Sequence, residues 1–268
     1  MLRLEPDKDR GLVGAVSVGS ALALVIAGVR WGLGEAPFAS FASLVFTLIA
    51  GVFEAIYFVS LARAMERGKL GPVYTISRGG AVLVVWPLSI ALFAEAATTR
   101  STAGSAIVLA GLALSSAGMG NRARDPDDRG RAAIGYAVAS AAGIAGYHLA
   151  YKAALQEGGN PSAIFGVSLG LSAMISIVRL GRAGRAAYVT ILRTRTLRVV
   201  AMGVLCGGSF LILMEALARG GSGYVLTLRN TSVLFAAGLA YLIGERPRRP
   251  ELIGAALVAA GATLMAWN

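Results

Sequence analysis

The sequence predicts an all-α integral membrane protein, and three observations carry that prediction. Apolar residues make up 56% of the 268-residue chain, and its mean hydropathy is +0.68. Charged residues make up only 15%, against ~25% in ordinary soluble domains. The charges also fall in short segments between apolar runs, each long enough to cross a ~30 Å hydrocarbon core at about 1.5 Å per residue. A globule of this composition would expose apolar surface to water, so lipid is the expected solvent. The 35 glycines suit helices packed closely in a membrane, where small residues let backbones approach.

The elements follow in chain order. Between Arg10 and Arg30 lie 19 uncharged residues, Gly11–Val29. This run reads as an uncleaved helix, because a signal peptide would have a shorter apolar region and a small-residue cleavage site. Further spans are expected at Phe38–Ala62, Leu70–Ala94, Thr102–Gly120, Ala132–Tyr151, Pro161–Val178, Val199–Ala218, Ser222–Gly244 and Leu252–Trp267, which makes nine. The longest loop, Arg179–Arg198, alternates arginines with Tyr188, Val189, Ile191 and Leu192. It suits either an amphipathic segment lying on the membrane surface or a solvated linker. The stretch Asn121–Arg131, mixed in charge, reads as the connector between two halves, 1–121 and 122–268.

The distribution of Lys and Arg supports that count. Numbering alternate sides places 19 of them on one side and four, Arg30, Arg100, Lys152 and Arg219, on the other, with two arginines left inside spans. The positive-inside rule then puts the N-terminus in the cytoplasm and the C-terminus outside. With the basic residues in short loops, the net charge of +11 reports orientation and no nucleic-acid partner. A single cysteine, Cys206, allows no disulfide framework and reads as a small packing residue.

The chain also repeats itself. Glu95 is followed at nine and sixteen residues by Gly104 and Gly111, and Glu245 at the same spacings by Gly254 and Gly261, an offset of 150. Upstream, "VYTISRG" at 73–79 matches "YVLTLRN" at 224–230, with Arg78 against Arg229 after a slip of one. The "LARA" at 61–64 answers the "ALAR" at 216–219. A unit with an odd number of helices inserts its two copies with opposite orientation, the inverted-repeat plan of many transporters. The second half holds five spans and the first four. The partner of Ala132–Tyr151 would precede Met1, so the expectation is a ten-helix plan lacking its first helix, through a real loss or a late start of the chain.

The repeat endings, "FAEAATTRSTAGSAIVLAGLAL" and "IGERPRRPELIGAALVAAGATL", resemble the drug/metabolite transporter superfamily, specifically the EamA-like transporters. Those proteins have ten helices in two five-helix repeats, each repeat ending in a glycine-rich helix after a Gly-Glu pair. The second copy fits closely, and the first has Ala94 where the glycine usually stands. The resemblance implies a transporter fold and leaves the substrate open. Two departures stand out: the absent first helix, and a C-terminus placed outside where the family is generally drawn with both termini in the cytoplasm.

Arg78 and Arg229 are the sharpest functional signal. Each lies about eight residues inside its span, and an arginine near the bilayer centre costs roughly 2.5–3.5 kcal/mol on insertion scales. As a pair lining a cavity they would hold an anionic or carboxylate group by bidentate hydrogen bonds; alternatively each pairs with a fixed acid or caps broken backbone. Glu54, midway along its own span, is the candidate partner of Arg78, or else a titrating group that couples transport to protons. Glu215 is a candidate partner for Arg229, with an interfacial position the other reading. His148, the single histidine, is a relay group or a packing residue. Tyr74, Thr75, Thr227 and Asn230 flank the arginines, and Tyr74 shares a helical face with Arg78 at i and i+4. Glu95 and Glu245 are read as structural, placed to stabilise the helix that follows through its dipole. Gly104, Gly111, Gly254 and Gly261 are expected to let the two repeat-ending helices approach, and Gly166 and Gly170 form a G-x-x-x-G on another span.

These features predict a secondary transporter in the inner (plasma) membrane that exports a small metabolite or drug-like molecule by alternating access. No Walker A motif, cofactor signature or metal-ligand cluster is visible. The expected partners are a small-molecule substrate, membrane lipid and protons, with the chain a monomer or homodimer. The competing class is a membrane-embedded enzyme acting on a lipid-linked or phosphorylated substrate, for which buried arginines would also serve.

Overall fold

The computed structural model describes residues 8–68, 70–93, 98–120, 128–219, 229, 238–239, 242 and 248–266. Nine helices lie among the described residues: α1 (Lys8–Gly32), α2 (Phe41–Arg67), α3 (Leu70–Phe93), α4 (Thr99–Gly120), α5 (Asp128–Gln156), α6 (Pro161–Arg179), α7 (Gly181–Thr194), α8 (Thr196–Arg219) and α9 (Arg249–Ala266). Six of them, α1, α2, α3, α5, α6 and α8, are long and apolar enough to cross a membrane. The chain is therefore a multi-pass, all-helical membrane protein. The expected span Ser222–Gly244 falls outside the described residues except for Arg229, Gly238, Leu239 and Leu242, which are helical. Helix α7 lies inside the long arginine-rich loop, where no span is expected.

The chain forms two compact units, Met1–Val59 with Gly146–Arg219, and Ser60–Ala145 with Gly220–Asn268. Each unit draws on both sequence halves, and α2 and α5 each contribute to both units.

In the first unit α1 packs against α6 and α8, and small residues set the spacing. A Cβ on Gly207 would stand 2.8 Å from the Cα of Gly19, and one on Gly166 would stand 3.0 Å from the backbone nitrogen of Leu24. Ser20 Oγ donates to the Gly166 carbonyl at 2.9 Å, so the G-x-x-x-G face of α6 is met by α1. The α5–α6 turn has Gly158 at φ +79°, a left-handed conformation that favours glycine. Helix α6 then opens on Asn160, whose side chain accepts from the Ser162 amide at 3.1 Å, with Pro161 at the first position, a preferred start. Helix α7 is amphipathic: Gly184 and Tyr188 are buried while Arg182, Arg185 and Arg193 are exposed. Tyr188 donates to Ser17 Oγ of α1 at 3.1 Å. The long loop is thus a helix docked on its neighbours by one face.

The second unit is built around α4 and α9, whose contact is reciprocal. A Cβ on Gly111 would stand 2.7 Å from the Gly254 carbonyl oxygen and 2.9 Å from the Val258 nitrogen. A Cβ on Gly261 would stand 2.6 Å from the Gly104 oxygen and 2.8 Å from the Val108 nitrogen. Each contact is turned into the other by the sequence offset of 150, so the two helices run antiparallel with local two-fold symmetry. At these distances any side chain at Gly111 or Gly261 would clash with backbone, so these two glycines let the axes come together. Val108, Ala255 and Val258 form the apolar core of this contact, with Tyr74, Leu83 and Leu112 packed against it.

Candidate functional site

In the first unit Glu54 of α2 is buried to 1% exposure. Two close approaches bring its neighbours to it. One turn earlier, Gly51 lets α2 meet α6, since a Cβ there would lie 2.7 Å from the Ser168 carbonyl oxygen. Gly146 of α5 leaves room for the ring of Phe53, which occupies the place of a Cβ. The Glu54 carboxylate therefore accepts a hydrogen bond from the Tyr151 hydroxyl of α5, and that hydroxyl lies 2.9 Å from Ser168 Oγ of α6. Three helices supply one contiguous set of polar atoms inside apolar surroundings.

Aromatic rings surround that set. Tyr147 lies 5.4 Å from Tyr151, 5.7 Å from Tyr57 and 6.3 Å from Phe210 between ring centroids, and Phe165 stacks on Phe210 at 5.3 Å. His148 is buried and stacks on Tyr147 at 4.8 Å.

In the second unit Arg78 of α3 is 6% exposed. Its guanidinium lies 5.2 Å from the centroid of the Tyr74 ring, the i and i+4 pairing expected from the sequence. An arginine over an aromatic face gains electrostatic attraction without full hydration. Thr75 and Ser77 are buried beside it, and Ser77 Oγ donates to the Ala137 carbonyl at 3.3 Å. Since Tyr74 packs on the α4–α9 core, the glycine contact fixes the ring that Arg78 uses. Arg229 is helical and half-buried. Thr227, Asn230, Glu95 and Glu245 lie outside the described residues.

A matching model for the EamA-like transporter family covers residues 131–267, just over half of the chain. The chain belongs to the EamA-like transporter family. Six chains of solved structures match this transporter. One of them, a protein known from its crystal structure, is 19% identical with a TM-score of 0.66, over 97% of this chain and 86% of that one. At that identity the likeness speaks for the fold alone. No curated protein matches the transporter.

Two further side chains can be placed. Glu215, its side chain 29% exposed, accepts from Arg30 and pairs with Arg219 at 3.1 Å. Arg30 also pairs with Glu35 at 2.7 Å, and Asn160 Nδ2 donates to the same carboxylate at 2.8 Å, so this cluster ties the ends of α1, α6 and α8. Cys206 is exposed on α8 and is not the packing residue expected, because it lies off the face that carries Gly203, Gly207 and Phe210 inward. Among the described residues no group of three His, Cys, Asp or Glu stands where it could hold a metal.

Sequence reasoning picked out Glu54 and His148 but missed Tyr151, Tyr147 and Ser168. The available signals were the Tyr147–Tyr151 spacing of four, which puts both rings on one face, and Gly51 one turn from Glu54.

Proposed function

We propose that this EamA-like transporter is a proton-coupled secondary transporter that exports a small organic molecule from the cytoplasm by alternating access across the inner membrane. The observation that carries the reading is the buried carboxylate of Glu54, held in mid-span by the Tyr151 hydroxyl. Buried ionisable groups in a membrane are expensive and mark ion pathways or substrate sites. Protonation removes the charge of Glu54, which is the elementary step of proton coupling. Arg78 and Arg229 are the groups proposed to bind an anionic or carboxylate-bearing substrate, with Tyr74, Thr75, Thr227 and Asn230 lining the site and His148 beside the carboxylate. The halves 1–121 and 122–268 act in this reading as inverted repeats, and the reciprocal contact of α4 with α9 supports that relation.

Purified protein in liposomes, loaded with a panel of labelled carboxylate metabolites, tests the reading under imposed pH gradients. The expected outcome is gradient-driven flux of at least one metabolite, lost in Arg78→Ala and Arg229→Ala, with the gradient dependence lost in Glu54→Gln. Flux that ignores the gradient in the wild type, or keeps it in Glu54→Gln, overturns the coupling. Flux unchanged in both arginine variants overturns the anionic site.

A further inference from the structure

Helix α6 carries a line of hydroxyls outside the residues proposed to bind substrate. Ser168, Ser172 and Ser176 recur every four residues on one face, and their exposures are 0%, 0% and 3%. One end of the line is bonded to the buried acid's partner, since Ser168 Oγ lies 2.9 Å from the Tyr151 hydroxyl. The other end opens into space: Ser176 lines a small cavity with Leu12, Val13, Val16, Phe58 and Val59. That cavity measures ≈ 10 Å³, the lower edge of the room one water needs, and Ser176 supplies the hydroxyl among its apolar lining residues.

The middle hydroxyl points to what fills the line. Serines and threonines inside helices commonly bond the carbonyl one turn back, as Ser17 does to Val13 at 2.9 Å and Thr47 to Ser43 at 2.8 Å. Ser172 Oγ is fully buried and has no hydrogen-bond partner among the described residues. Leaving a buried hydroxyl unsatisfied costs roughly 1–3 kcal/mol. Residues one turn apart on a helix stand about 5–6 Å from each other, and one water making two bonds of about 2.8 Å spans such a gap.

We propose that the Ser168–Ser172–Ser176 face of α6 is a hydrated proton path that connects Glu54 to the membrane face on which α7 lies. The inference rests on the reading of Glu54 as the proton-coupling group. A proton entering at the Ser176 end of the line passes to the next oxygen while that oxygen gives up its own proton forward. Each water and hydroxyl therefore ends neutral, with its O–H turned round. In the last two transfers the phenol oxygen of Tyr151 takes the Ser168 proton as its own proton moves to the Glu54 carboxylate, leaving a carboxylic acid. Ser168 can serve both states, because its single O–H has two acceptors in reach: Tyr151 at 2.9 Å and the Phe165 carbonyl at 3.1 Å. Among the described residues, the titratable groups in the ring cluster around the acid's partner Tyr151 include Tyr57 on α2 and Tyr147 and His148 on α5; α6 and α8 bring Ser168, Phe165 and Phe210.

Cys206 is the single cysteine, so Cys206→Ser gives a thiol-free background in which one cysteine is placed at a time. Ser172→Cys and Ser176→Cys are exposed to silver ion in liposomes, with Ala173→Cys as a buried control one residue off the serine face. Only a thiolate in contact with water reacts, so the two serine positions are expected to react ~10-fold or more faster than the control. Equal rates at Ser172 and Ala173 overturn the path. A second measurement uses near-native protein: infrared difference spectra against Glu54→Gln follow deuterium entering the Glu54 carboxyl from heavy water. Ser172→Val is expected to slow that entry ~10-fold and Ser172→Thr to restore it, since only the latter keeps a hydroxyl in the line. Unchanged entry in Ser172→Val overturns the path. If Glu54→Gln removes no protonated-carboxyl band at any pH, the titration of Glu54 itself fails, while the silver rates still decide whether the line is hydrated.

Discussion

The two compact units solve the same packing problem in different ways. In the second, α4 and α9 are joined backbone to backbone through Gly104, Gly111, Gly254 and Gly261. Little but van der Waals contact and close Cα–H···O approaches is needed there. In the first, glycines also bring helices together, but at Gly51 and Gly146 they deliver side chains: Glu54, Tyr151 and Ser168 meet because α2, α5 and α6 approach. The lesson is that glycine does two jobs in this protein. It forms a symmetric seam in one unit, and in the other it lets a carboxylate be buried beside its donor.

Substitutions ordered by expected effect test that contrast. The largest loss should come from Gly111→Val or Gly261→Val, each of which drives a branched side chain into the backbone of the facing helix. Overpacking of this kind costs about 1–3 kcal/mol, and more where backbone is the obstacle; thermal unfolding in detergent should show the same loss from either variant, given the reciprocal geometry. A mild effect from one and a severe effect from the other would break the local symmetry. Next comes Tyr151→Phe in the first unit, which leaves the buried Glu54 without its phenol donor. A loss of roughly 1–3 kcal/mol is expected, together with altered proton coupling, whereas the glycine variants should change stability first. If Tyr151→Phe is neutral in both measurements, the polar set in this unit is incidental.

Arg30→Ala should matter less. Its pairs with Glu35 and Glu215 are partly exposed, at 25% for Arg30, and such pairs are worth about 0.2–1 kcal/mol, less as salt is added. The loss should shrink as salt is added, read as an unfolding midpoint at low and high salt. The smallest effect is expected at Gly208, where a Cβ would meet nothing within 4 Å. Gly208→Ala should be neutral or stabilise by up to about 1 kcal/mol through helix propensity. A large loss there would mean that glycine's role extends beyond the close contacts.

Much of the fold was legible before any coordinates. The alternation of apolar runs and basic loops is a solvent effect: lipid admits long helices and rejects charge, so the spans show directly in composition. The role of Gly111 and Gly261 was legible as well, because an exact offset of 150 leaves few explanations other than a repeated contact. The pairing of Tyr74 with Arg78 followed from helical period alone. The docked helix α7 was open to two readings, since an arginine-rich amphipathic pattern fits a linker as well as a packed helix.

What the sequence by itself determined is the class of molecule: a membrane transporter with a repeat, and with ionisable residues inside its spans that need a reason to be there. Tertiary structure alone decided which side chains meet. Glu54 and Tyr151 are 97 residues apart, and nothing local couples them; they meet because Gly51 and Gly146 permit close approach on faces that a single sequence does not orient. The serine face of α6 became meaningful for the same reason. Its four-residue spacing is visible in one dimension, but its burial, the orphaned Ser172 hydroxyl and the bond from Ser168 to Tyr151 exist only once neighbouring helices enclose it.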